Sequence, residues 1–207
     1  TTPYSNLPTE AFWAPAVAKR HMLDIDKLWT PKFEIGVDTL TATFGSCFAQ
    51  HFGRALVARG FSWFDAEPAP QGLGEKAVAN YNYGVFSART GNIYTTSLLL
   101  QWTRWALNMD VPPDEFWETD NGRVVDPFRP VIEPEGFTTA TEMRDNRALA
   151  LESFARTIRD SNMFVFTLGL TESWWHLNEA GATDYEYPMC PGTAAGSFNP
   201  TRHHFEN

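Results

Sequence analysis

Long apolar runs are missing from this 207-residue chain, and no stretch of 18 residues is apolar enough to cross a bilayer. Basic charge is scarce as well. Sixteen Lys and Arg stand against 25 Asp and Glu, a net charge of −9, and the basic residues form no dense cluster, which argues against a nucleic-acid partner. Cysteine is nearly absent. Cys47 and Cys190 are too far apart to form a disulfide framework or a metal-ligand pair, so two free thiols in a reducing compartment are expected. No cofactor or metal site is expected, no internal repeat is visible, and no initiator Met opens the chain. With the abrupt stop at His203-His204-Phe205-Glu206-Asn207, this last point predicts a piece of a longer protein, truncated at its C-terminal side. The cytoplasm is the favoured compartment.

Aromatic residues, by contrast, are plentiful, at 14% with eight Trp, and this points towards a binding surface such as a glycan cleft. Hydrophobic content of 43% suits one substantial core. Residues 1–37, with Pro3, Pro8, Pro15 and Pro31 around Trp13 and Trp29, predict an irregular arm packed on a domain spanning 38–207.

Within that domain the run at 39–44 predicts a strand. A helix follows at about 47–59, with Phe48, Phe52 and Leu56 inward and Gly60 as its stop. Phe61–Phe64 predicts a short second strand, and 68–92 a long loop. Thr95 or Thr96 caps a helix reaching Met109, with Leu98, Leu99, Trp102 and Ala106 buried. Asp120-Asn121-Gly122 joins a small hairpin, and Thr139 with Glu142 forms a capping box for a helix to Arg159. Met163–Leu168 is a continuous apolar run, the pattern of a central parallel strand covered on both faces. A hairpin is expected over 174–187, followed by a loop-like tail. Strands alternating with helices predict an α/β domain with a mostly parallel sheet, whose sites lie at the strands' carboxyl ends.

Ser46 occupies one such end, where Phe44-Gly45 gives way to Cys47-Phe48-Ala49. Two roles are open to it. A serine there caps a helix, or it is a nucleophile beside the free N–H groups of the helix's first turn. The Gly169–Glu172 turn sits at a second carboxyl end, and the shared edge favours the nucleophile. Cys47 is a rival nucleophile at the same helix start.

Gly45-Ser46-Cys47-Phe48-Ala49 resembles the signature of the GSCFA domain family. Further similar blocks are Phe44–Leu56, Tyr83–Phe86 before Gly91–Tyr94, Thr167–Glu172, and the start from Asn6 to Trp13. That family is itself similar to SGNH/GDSL-type hydrolases, so the resemblance implies a three-layer α/β/α sandwich and a serine esterase acting on O-acyl esters, those of carbohydrates included. It implies Ser46 as nucleophile, with its own N–H and that of Gly84 as oxyanion donors. Gly169 opens the block in which the wider superfamily has Gly-x-Asn. Here Leu170 and Thr171 follow instead, so Asn82 or Asn92 is the substitute donor and Glu172 orients a base or anchors a loop. The implied base is a histidine, from a block beyond Asn207 or from within the chain, His203 first and His204 next. Of the others, His51 is about 500° around the helix from Ser46. The expected ligand is a small-molecule or glycan ester. An O-acyltransferase, or a glycan-binding module that has lost its relay, is the alternative.

Overall fold

The computed structural model describes residues 2–207 and divides into two compact units, Thr1–Gly36 and Val37–Asn207. The first holds single turns at Thr9–Ala11, Ala14–Ala18 and Met22–Asp24. Arg20 ties its last turn together, pairing with Asp26 at 2.7 Å and donating to the Pro15 carbonyl at 3.0 Å.

In the second unit, β1 (Thr41–Gly45) pairs in parallel with β4 (Met163–Thr167), from Thr41 opposite Met163 to Gly45 opposite Thr167. All five β1 residues are buried. Thr41 and Thr43 fall on one face and Ala42 and Phe44 on the other, and each face of β1 meets a different helix. On the Thr43 face lies α1 (Cys47–Ala58), where Gly53 lets the backbone come close to the Thr43 hydroxyl and the Trp63 indole. On the Phe44 face, Phe154 of α4 (Ala140–Asp160) meets the Phe44 ring edge-on at 4.8 Å, and Phe44 stacks on Phe164 at 5.2 Å. Such aromatic pairs add about 0.5–1.5 kcal/mol each beyond their buried area.

The remaining elements are α2 (Glu75–Asn80), α3 (Thr96–Ala106), the hairpin β2 (Trp117–Glu118) and β3 (Val124–Val125), and a three-stranded antiparallel sheet. That sheet has the order β6 (Thr183–Tyr187), β5 (Ser173–Leu177), β7 (His203–Glu206). Capping follows the sequence: Thr95 accepts from the Leu98 N–H and Thr139 from the Glu142 N–H, each at 3.1 Å.

The chain is therefore a mixed α/β protein, and six expectations need correction. A mostly parallel sheet is not what forms: among the described residues β1–β4 is the one parallel pair of strands, joined by a single parallel bridge to Trp63, and the short β5–β6 connection permits only antiparallel pairing. β4 is half-buried along its length rather than central, since β1 is its one partner among the described residues. The strand expected at 61–64 shrinks to a single bridge from Trp63 to Thr41. Phe48 is 64% exposed; the inward face of α1 is Ala49, Gly53 and Leu56, and Gly53 sits where a Cβ would be tight against the Trp63 indole at 3.0 Å and the Thr43 hydroxyl at 3.2 Å. The loop at 68–92 contains α2, and the tail supplies β7.

The core also contains an ionic cluster. The Asp126 carboxylate is fully buried and takes hydrogen bonds from Arg129 Nε at 2.8 Å and from Arg147 Nε and Nη2 at 3.1 and 2.8 Å. Burial pushes its carboxyl up, but the two guanidinium groups outweigh that and hold it below the ordinary carboxylate value.

Candidate functional site

Gly45 closes β1 with φ +126°, a conformation that L side chains rarely adopt, and a Cβ there would fall 2.3 Å from the Thr167 carbonyl oxygen. Glycine thus allows the ends of β1 and β4 to touch. The contact is completed by Ser46, whose N–H donates to the Thr167 carbonyl at 3.2 Å and to its hydroxyl at 3.1 Å. The two hydroxyls share a third bond, Ser46 Oγ to Thr167 Oγ1 at 3.0 Å.

Ser46 stands in the N-cap position of α1 with extended backbone angles, yet its hydroxyl makes no capping bond. It faces Thr167 instead, at 7% exposure. Its own N–H, the expected oxyanion donor, is occupied by Thr167. The open donors are the N–H groups of Cys47 and Phe48 at the start of α1, since the Ala49 N–H already donates to the Ser46 carbonyl at 3.0 Å.

Gly169 packs beside the serine from the β4 side. A Cβ on it would lie 2.5 Å from Tyr94 Cδ1 and 2.9 Å from Ser46 Cβ, so any side chain here would invade the space beside the serine. The Gly169 N–H donates to the Tyr94 carbonyl at 3.1 Å, and the Ile93 N–H to the Gly45 carbonyl at 3.1 Å. These two bonds pin the 92–94 segment across both strand ends. Asn92 lies on it, accepting from Gln50 Nε2 at 3.1 Å through Oδ1 and donating through Nδ2 to the Tyr94 hydroxyl. Gln50 is one helical turn beyond Ser46.

The structure thus brings Ser46, Gly169 and Asn92 into one neighbourhood. Gly84 and Asn82 line an adjoining cavity of about 450 Å3, shared with Gln50, Arg54 and Tyr83. Asn82 spends its amide there, donating to the Val131 carbonyl at 3.0 Å. Glu172 is exposed in a shallow depression with Leu168, Gly169, Leu170 and Thr171. A larger cavity, about 960 Å3, opens near the β2–β3 hairpin around Arg123 and Glu133 and shares no lining residue with the serine's surroundings.

No hydrogen bond or ring contact among the described residues links Ser46 to a histidine. His203 is 7% exposed, and its Nδ1 accepts the Asn199 N–H at 3.0 Å. Its ring packs against Tyr187 and Phe198. Burial lowers its pKa below the usual 6.5, against a smaller upward pull from Glu115. His204, its neighbour on β7, is exposed.

Sequence reasoning missed Thr167 and Tyr94 as site residues, although both lie in the quoted blocks. It also missed Glu186. That carboxyl, 1% exposed, accepts from the α3 cap Thr95 at 2.6 Å through Oε1, while Oε2 is buried without a partner. Burial raises its pKa. Both thiols are free, Cys47 exposed and Cys190 half-buried. Among the described residues no group of three or more His, Cys, Asp or Glu could hold a metal ion, and no helix is long and apolar enough to cross a membrane.

An α/β domain with a serine at a strand-to-helix turn, joined to a threonine at the end of the neighbouring parallel strand, is the class these elements define. The GSCFA family model matches residues 41–207, and the chain belongs to the GSCFA family. No curated protein and no solved structure matches it.

Proposed function

We propose that this protein is a serine esterase of the SGNH/GDSL type, acting on O-acyl esters with a saccharide as the substrate class. The observation that carries the reading is the Ser46 hydroxyl, held at the carboxyl end of β1, not spent on capping α1, and hydrogen-bonded among the described residues only to Thr167, at 3.0 Å. A simple cap serine would turn its oxygen towards the N–H groups two or three residues on. Helices on both faces of the β1–β4 pair agree with a layered hydrolase fold.

In the reaction, Ser46 Oγ attacks the ester carbonyl carbon and its proton leaves to a base. The carbon–oxygen bond to the alcohol breaks as the alcohol takes up a proton. Water then attacks the acyl-serine, releasing a carboxylic acid and restoring the hydroxyl. An acyltransferase would use a second alcohol in place of water. Thr167 is not basic enough to accept the proton, so it orients the serine, and the chemistry requires a histidine to reach Ser46.

The absence of a histidine bonded to Ser46 favours a second reading, a glycan-binding module without chemistry. Incubation with an O-acetylated oligosaccharide separates the two. The esterase reading expects acetate release that Ser46→Ala abolishes. Binding of the oligosaccharide without acetate release supports the module and overturns the esterase.

A further inference from the structure

The side-chain donor to the oxyanion expected from sequence is Asn92 or Asn82, and each amide nitrogen already holds one fixed hydrogen bond that sets its direction. Asn82 gives its N–H to the Val131 carbonyl. Asn92 is held between two partners: Gln50 donates to its oxygen, and its nitrogen therefore faces the Tyr94 hydroxyl and donates to it. The Tyr94 oxygen is thus an acceptor in that bond, and its own proton has no acceptor among the described residues. A phenol that accepts one hydrogen bond is a stronger donor through its remaining proton, because chained hydrogen bonds polarise one another.

The placement is set by two packing constraints. The Tyr94 ring and Ser46 Cβ crowd the same spot, where a Cβ on Gly169 would stand. Gln50, which anchors the far end of the chain, lies one helical turn beyond Ser46. The chain Gln50–Asn92–Tyr94 therefore runs alongside the first turn of α1, on the side of the serine.

We propose that the Tyr94 hydroxyl is the side-chain donor to the oxyanion that forms when Ser46 attacks the substrate carbonyl, with Asn92 and Gln50 as the residues that aim it. This rests on the serine-esterase reading above. As the carbonyl oxygen gains charge, Tyr94 Oη–H donates a hydrogen bond to it. The bond is released when the carbonyl re-forms, and Tyr94 keeps its proton throughout.

The test compares wild type, Tyr94→Phe and Gln50→Glu on p-nitrophenyl acetate, alongside the final extent of Ser46 phosphonylation by a fluorophosphonate. Tyr94→Phe is expected to lower kcat by about 100-fold, the loss typical of one oxyanion donor, with KM little changed and phosphonylation slower but complete. Gln50→Glu keeps the ring. Its carboxylate draws the Asn92 amide nitrogen to itself, so that the Asn92 oxygen faces Tyr94 and captures the phenol proton, and kcat is expected to fall in the same way. Wild-type kcat in either folded variant, or a rise in KM alone, overturns the Tyr94 role while Ser46 labelling stands. Wild-type protein that neither hydrolyses the ester nor reacts with the phosphonate overturns the serine reading, and this one with it.

Discussion

Two polar groups of this domain lie at similar depth and are used in opposite ways. Around Asp126, both carboxylate oxygens are taken: two arginines converge on them, and Arg147 also donates to the Pro113 and Glu115 carbonyls, while Arg129 Nη2 is left without a partner among the described residues. Around Ser46, groups keep spare capacity. Among the described residues the serine hydroxyl bonds only Thr167, the Tyr94 proton has no acceptor, and the Cys47 and Phe48 N–H groups at the start of α1 are open. Matched buried charge holds a fold together, because removing one partner strands the other. Hydroxyls with unused donors sit ready for a ligand. The difference separates structure from chemistry here.

The largest expected effect is on the matched side. Asp126→Ala leaves two buried guanidinium groups without their anion and should lower the free energy of unfolding by about 3–5 kcal/mol in urea titrations. A loss below about 1 kcal/mol would break the comparison. The same carboxyl carries a pH signature. Its pKa is depressed in the folded state, so its stabilisation is present above the ordinary 3.8 and is lost as pH falls through the lower folded value.

Gly169→Ala comes next. Its Cβ would press on the Tyr94 ring and on Ser46 Cβ, at a cost of about 1–3 kcal/mol from overpacking. Ester hydrolysis should suffer more than stability does, which calorimetry beside a rate assay would read. Equal losses in both would mean that the glycine serves packing alone.

Cap substitutions are smaller. Thr139→Ala should cost about 1 kcal/mol. Thr95→Ala should cost more, because it also strips Glu186 of its hydrogen-bond donor. The smallest effect is that of Glu186→Gln. A raised folded pKa means that Glu186 stabilises below the ordinary 4.5 and that this contribution is lost as pH rises through the folded value. Gln at 186 should therefore raise the melting temperature at pH 8, and the gain should vanish below pH 4.5.

Much of this was legible from local pattern. The end of β1, the start of α1 and the caps of α3 and α4 depend on neighbours within four residues, and glycine, serine and threonine spell them out. What failed depends on distant partners. The β4 run has the apolar continuity of a central strand, but its partners are chosen by the rest of the chain. His203–Glu206 carries no strand pattern and is recruited by β5 through residues about 30 positions away. Arg129 and Arg147 look like surface residues in sequence, and nothing local tells that both turn onto Asp126. At the site, Ser46 and Gly169 were readable as turn chemistry. Thr167 was hidden at the end of an apolar run, and Tyr94 within a loop whose fold is fixed by bonds to both strand ends.

The most direct test of the central claim is to treat the folded protein with a fluorophosphonate and locate the adduct by peptide mass spectrometry. The account predicts one phosphonyl group, on Ser46, absent from Ser46→Ala. An unmodified Ser46, or an adduct on another residue with Ser46 untouched, would contradict it.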